Sequence, residues 1–147
     1  MQAKQFLLFA EELLKGPPLQ AAMRTAVSRA YYAAHHHIKE FVETAGVTIR
    51  KSAESHRDVC LHLAGIGDDE LEGVGNELAS LQSDRNEADY DLHSPQFERQ
   101  ANAKDRVAVA REFIEIIDQC RADTPRYEKV KTAIKKRSTF LRGMKSE

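Results

Sequence analysis

The chain has 147 residues, of which 41% are hydrophobic and 31% charged, with only 7 Gly and 4 Pro. That is enough for one domain with a single core, and no apolar run approaches the roughly 18 residues of a membrane span. The net charge of −1 excludes a uniformly polycationic protein. It conceals an asymmetry, because residues 126–147 hold eight basic residues (Arg126, Lys129, Lys131, Lys135, Lys136, Arg137, Arg142 and Lys145) against Glu128 and Glu147, giving +6 where the rest carries −7. A basic end on an acidic body points to a phosphate-bearing partner, to an acidic surface on another molecule, or to a plain solvated helix. The opening residues show no basic region followed by an apolar stretch and a cleavage site, so a cytoplasmic location is expected. Cys60 and Cys120 then read as reduced core residues rather than a disulfide.

Phe6, Phe9, Ala10 and Leu13 predict a first amphipathic helix, stopped by Gly16-Pro17-Pro18. A long second helix follows to about Ala45, with Ala26, Ala30, Ala34, Ile38, Phe41 and Ala45 in step and Gly46 as its C-terminal cap. Residues 47–51 read as a loop, and Ser52 or Ser55 opens a third helix that ends at Gly65-Ile66-Gly67. Asp69 and Glu72 have capping-box spacing, which starts a fourth helix there; Gly73 and Gly75 weaken its first turns by roughly 1 kcal/mol each. Ser94-Pro95 supplies a cap and a first-turn proline for a fifth helix carrying Val107, Ala110, Phe113, Ile114, Ile117 and Cys120. Thr124-Pro125 repeats that device before a sixth, with Tyr127, Val130, Ile134 and Leu141 on one side. No segment alternates with period two. The expected fold is all-α: an up-and-down antiparallel bundle of four to five helices over residues 1–123, with an additional basic C-terminal helix and tail over 124–147.

The fourth helix holds the most informative pattern. Leu71, Val74, Leu78, Leu81, Arg85, Ala88 and Leu92 follow steps of three and four, so they share one seam. Arg85 therefore sits where apolar residues face other helices, and a guanidinium there needs hydrogen-bond partners or a water-lined groove. Either it works in a site, or it slides to the seam edge and pairs with Asp89. On the second helix, Ser28-Arg29-Ala30-Tyr31-Tyr32-Ala33-Ala34-His35-His36-His37 combines small residues for close helix approach with two tyrosines, and Arg29 is a candidate second inward-facing cation. His35, His36 and His37 point about 100° apart and cannot chelate one ion together. His56 and His62 also lack one-face spacing, so neither a metal nor another cofactor is expected.

The run Ser28-Arg29-Ala30-Tyr31-Tyr32-Ala33 followed by His, then His56, then Arg85-x-x-Ala88-Asp89-Tyr90, resembles the HEPN superfamily of small helical bundles, in particular a toxin–antitoxin-associated branch with S-R-A-Y-Y-A and R-x-x-A-D-Y helices. The similarity covers roughly residues 5–120. It implies a symmetric homodimer in which an R-x(4–6)-H motif from each subunit faces a shared cleft and cuts RNA without a metal. It also implies a partner, a minimal nucleotidyltransferase. Carried over, Arg85 matches the motif arginine and Asn86 the polar residue after it. The histidine position is Tyr90, and a phenol with a pKa of about 10 exchanges protons poorly at neutral pH. His93, the nearest histidine, lies about 80° around the helix from Arg85.

Two functions follow from that resemblance. In the first, Arg85 holds an RNA phosphate, His93 or Tyr90 serves as acid or base, Asp89 orients one of them, and Arg29 and Asn86 assist binding. In the second, the protein is a non-catalytic adaptor that docks the nucleotidyltransferase or holds a nucleotide, with Arg85, Asp89 and Tyr90 a structural polar network. In related systems such a tyrosine receives AMP from the partner, and Tyr90 would be the acceptor here.

Overall fold

Helix α2 (Gln20–Glu43) is the axis on which the rest of the chain is assembled, in a computed structural model that describes residues 1–145. Around it lie α1 (Lys4–Lys15), α3 (Ser55–Leu63), α4 (Asp69–Tyr90) and α5 (Gln100–Ala122), followed by α6 (Thr124–Lys145). Among the described residues there is no strand, and the fold is an all-α helical bundle. No helix among them is long and apolar enough to cross a membrane. Ser146 and Glu147 lie outside the described residues, and with them one of the two acids counted in the basic C-terminal segment.

The small residues of α2 explain its central place. Ala26, Ala30, Ala33 and Ala34 are fully buried, so α1, α4 and α5 can each approach its backbone closely. Ile38, Phe41 and Val42 extend the core towards α3 and α5, and burying each large side chain contributes about 2 kcal/mol. Gly46 stops the helix with φ +87°, a left-handed conformation that favours glycine. Gly75 has a different role: a Cβ there would meet Leu63 Cβ at 3.0 Å, so its absence lets α3 and α4 close on each other.

Several boundaries differ from those expected. The cap of α4 is Asp68, not Asp69: its carboxylate accepts a hydrogen bond from the Leu71 amide at 3.1 Å. That same carboxylate accepts from Arg126 Nε and Nη2 at 2.8 and 3.0 Å, so one aspartate both starts α4 and docks α6. Ser94-Pro95 does not open α5; a single 3-10 turn over Gln96–Glu98 intervenes, which buries Phe97 against α2. Asp123, rather than Thr124, caps α6 by accepting from the Arg126 amide at 3.2 Å. Leu92 lies beyond the end of α4 and is 71% exposed, so the seam ends at Ala88.

The basic helix α6 folds onto the bundle, where Val130 and Ile134 pack on α5 and α3. Arg111 makes a forked pair with Glu11 at 2.5–2.6 Å that ties α5 to α1. Cys60 and Cys120 are both free thiols.

Candidate functional site

Arg24, Ser28, Tyr31 and His35 form a stripe on α2, spaced four, three and four residues apart, that faces α4 and α3. Arg24 is the inward cation of α2, a role expected of Arg29. Its guanidinium donates to the carbonyls of Ala88, Asp91 and Ser94 at 2.9, 3.0 and 2.5 Å. It also pairs with Glu98 at 3.0 Å. These carbonyls sit at or beyond the end of α4, where helical partners run out. Arg24 thereby holds the end of the helix that carries Arg85.

Arg85 is 7% exposed, on the face of α4 turned to α2. Its guanidinium lies 5.4 Å from the Tyr31 ring centre and 5.3 Å from that of Tyr32, within cation–π range. The expected pairing with Asp89 is a loose one at 3.9 Å, and Asp89 instead accepts a hydrogen bond from the Ser28 hydroxyl at 3.0 Å. Arg85 Nε is buried and makes no hydrogen bond. A buried charged donor left in that state costs several kcal/mol in order-of-magnitude terms unless something else accepts from it.

Beside this cation the structure assembles histidines from α2 and α3. His35 and His56 stack with ring centres 4.3 Å apart, and the Tyr31 hydroxyl is hydrogen-bonded to His56 Nδ1. Burial pushes the Tyr31 phenol well above its usual range, so the hydroxyl keeps its proton and is able to donate it to that nitrogen. In the tautomer where Nδ1 accepts, a neutral His56 carries its own proton on Nε2. Burial, followed by the nearby Arg85, lowers the pKa of His56. Burial drives His35 down to about 3, with His56 and His36 adding to the effect. The Nδ1 of His35 is a second buried atom without a partner. At neutral pH the cluster thus offers a guanidinium and uncharged imidazoles, an arrangement suited to receiving an anion.

The remaining expected residues are distributed unevenly. Arg29 is half-buried, its guanidinium 4.9 Å from the Tyr32 ring centre and 5.3 Å from that of Phe6, so Tyr32 is flanked by both arginines. Tyr90 lies 140° from Arg85 on an ideal helix, but its ring centre is 6.0 Å from the Arg85 guanidinium while the residue is 75% exposed. Asn86 is exposed on α4. His93 is exposed beyond the helix end, and among the described residues no ring or hydrogen-bond contact joins it to Arg85. His36 stays at the edge of the cluster, its ring centre 5.2 Å from that of His35 and 6.1 Å from those of Tyr32 and Phe6, whereas His37 turns away to Asp118 at 2.8 Å. Among the described residues no cluster of three or more ligating groups is placed to hold a metal ion.

Tyr31, Tyr32, His35 and His56 are the members of this cluster that sequence spacing did not assign to Arg85. The signal for two of them was the α2 stripe; His56 was marked only by its place in the family resemblance, and the packing of α3 on α2 brings it there.

The structure thus defines an all-helical bundle with a buried arginine framed by tyrosines and histidines. A family model described as HEPN domain matches residues 1–120, and the chain belongs to that family. No curated protein and no solved structure matches the chain.

Proposed function

We propose that this HEPN-domain protein acts through Arg85 on a phosphate of RNA or of a nucleotide, as one component of a toxin–antitoxin-type pair. The observation that carries this reading is the Arg85 Nε, buried and without an acceptor, beside the His56 imidazole. A phosphate oxygen supplies the acceptor that Nε lacks. Tyr32, held between two guanidiniums, offers a ring on which a base can stack. The pairing with a minimal nucleotidyltransferase rests on the S-R-A-Y-Y-A and R-x-x-A-D-Y motifs. Tyr90, beside Arg85, and Leu92 just beyond it, both exposed, would meet their counterparts in a homodimer whose cleft contains both arginines. Both thiols are free, which suits a reducing compartment such as the cytoplasm.

The cluster is better provided for binding than for proton transfer. In the tautomer whose Nδ1 accepts from Tyr31, a neutral His56 presents an N–H donor and no basic nitrogen to a ligand. A bound phosphate would offset the field of Arg85 and raise the His56 pKa, converting it to an imidazolium able to protonate a leaving oxygen. Incubating the purified protein with a fluorescent single-stranded RNA in the presence of a chelator tests both levels. Anisotropy should report binding that Arg85→Ala weakens at least about tenfold, the loss of one charge-assisted hydrogen bond. Cleavage products lost in the same variant would extend the reading to a ribonuclease, and equal binding by the variant would remove the site assignment altogether.

A second reading draws on the exposure of Tyr90, whose hydroxyl makes no hydrogen bond among the described residues. It would be the acceptor for AMP delivered by the partner: the phenol oxygen attacks the α-phosphorus of ATP, pyrophosphate leaves, and the phenolic proton passes to a base on that enzyme. Intact-mass analysis after incubation with the co-expressed nucleotidyltransferase and ATP distinguishes this from the first reading, since Tyr90→Phe would abolish the adduct while preserving RNA binding.

A further inference from the structure

A cleft of about 410 Å³ lies between the loop after α2, helix α3 and helix α6, and it shares no lining residue with the Arg85 cluster. Four cations line it: Arg50 from the loop, and Lys135, Arg142 and Lys145 from α6. The one carboxylate in its wall is Asp58, whose Oδ1 lies 3.8 Å from Lys145 Nζ. The side chains of Arg50 and Lys135 have no ion-pair or hydrogen-bond partner among the described residues. They therefore leave positive charge in the cleft that an entering anion would neutralise.

The interior of the cleft is polar as well. Ser138 is 8% exposed, yet its hydroxyl makes no hydrogen bond among the described residues. Serines within helices commonly bond back to the preceding turn, as Thr132 and Thr139 do on this same helix. The Ser138 hydroxyl therefore remains available to a ligand. His62 donates from Nδ1 to the Asp58 carbonyl at 2.7 Å, which fixes its ring in the wall. Gly46 completes the shape: a Cβ at that position would come 3.2 Å from Lys135 Cε, so a glycine leaves room for the lysine to cross the loop.

We infer that this cleft binds a terminal phosphate group, either of a free nucleotide or of the 5′ end of an RNA. A terminal phosphate carries close to two negative charges and three acceptor oxygens. It can engage Arg50, Lys135 and Ser138 together, whereas an internal phosphodiester presents a single charge. The volume is in the range of small-ligand pockets. The inference stands apart from the Arg85 reading and would survive its failure.

The test uses the full chain and inorganic pyrophosphate as the probe, titrated at fixed ionic strength and followed by calorimetry. Saturable binding is expected, weakened at least about tenfold in the Arg50→Gln, Lys135→Gln double variant. Both side chains are exposed at the cleft mouth, so the variant should fold; Lys135→Arg, which retains the charge, should bind like the parent. Because pyrophosphate can also enter the Arg85 cluster, the titration is repeated in the Arg85→Ala background, where saturable binding should persist and should still be lost when Arg50→Gln and Lys135→Gln are added. Competition by a mononucleotide identifies a free nucleotide as the source, and competition by a 5′-phosphorylated but not a 5′-hydroxyl oligonucleotide identifies an RNA end. Absence of saturable heat, or equal binding by the double variant, would overturn the inference.

Discussion

The hydroxyl of Tyr31 on α2 meets Nδ1 of His56 on α3, and the same tyrosine ring lies 5.4 Å from the guanidinium of Arg85 on α4. One side chain thus sets the tautomer of the imidazole and supports the cation, joining three helices at the candidate site. Tyr31→Phe should keep the fold, because only a hydroxyl is removed from a well-packed ring. It should release His56 to a mixture of tautomers, visible in the nitrogen shifts of its ring by NMR. Unchanged shifts would mean that the hydrogen bond does not control the imidazole.

Arg24 should be the most destabilising arginine to remove. Its head is buried, satisfies carbonyls at the end of α4 and pairs with Glu98. Arg24→Ala leaves those groups without their partner, and loss of a buried paired charge costs about 3 kcal/mol or more. Arg24→Lys should recover only part of this, since an ammonium cannot fork across several acceptors. Urea unfolding measures the loss, and hydrogen exchange should show it concentrated at the end of α4.

Stability should fall on the acid side of neutrality because of the buried histidines. An unperturbed histidine titrates at about 6.5, and His35 is held down to about 3 in the fold, mainly by burial. As pH drops below the first value, the unfolded chain takes up a proton that the native state refuses, so stability is lost across that window. The limiting slope for one such group is about 1.4 kcal/mol per pH unit. His36 and His56 are lowered too and add to the loss in the same direction. His35→Leu removes the largest contribution and also the unpartnered Nδ1. Thermal melts from pH 7 to pH 4 should be visibly flatter for the variant; parallel curves would show that His35 does not govern the acid limb.

Association should be sensitive to the end of α4. Leu92 is exposed beyond the helix, two residues after Tyr90, whose ring lies 6.0 Å from the Arg85 guanidinium. If these residues form the homodimer contact, Leu92→Glu should shift sedimentation equilibrium from dimer towards monomer without altering the circular dichroism. A parent that sediments as a monomer at all concentrations would remove the shared-cleft part of the proposal.

How much of this was visible in the residues depends on how local the cause is. The stop at Gly16-Pro17-Pro18 and the turn at Gly46 are set by the backbone preferences of a few residues, and the helices end there. The burial of Arg85 followed from its place in a repeat of apolar residues. Asp68 was passed over because Asp69 also fits a capping pattern, and only the arrival of Arg126 distinguishes them. Ser94-Pro95 looked like a helix start because both residues favour one, yet the carbonyl of Ser94 is held by Arg24, seventy residues earlier. His56 and Tyr31 carried no spacing signal linking them to Arg85, since their meeting is a product of tertiary packing.

The most direct measurement of the central claim is the resonance of the Arg85 Nε–H during titration with a short single-stranded RNA, assigned by its disappearance in Arg85→Lys. An unpartnered buried N–H that gains a phosphate acceptor should move downfield saturably, in step with the His56 ring signals. An RNA that binds with the Arg85 and His56 signals unmoved, or an RNA that does not bind, would contradict the account and leave Arg85 as a packing residue.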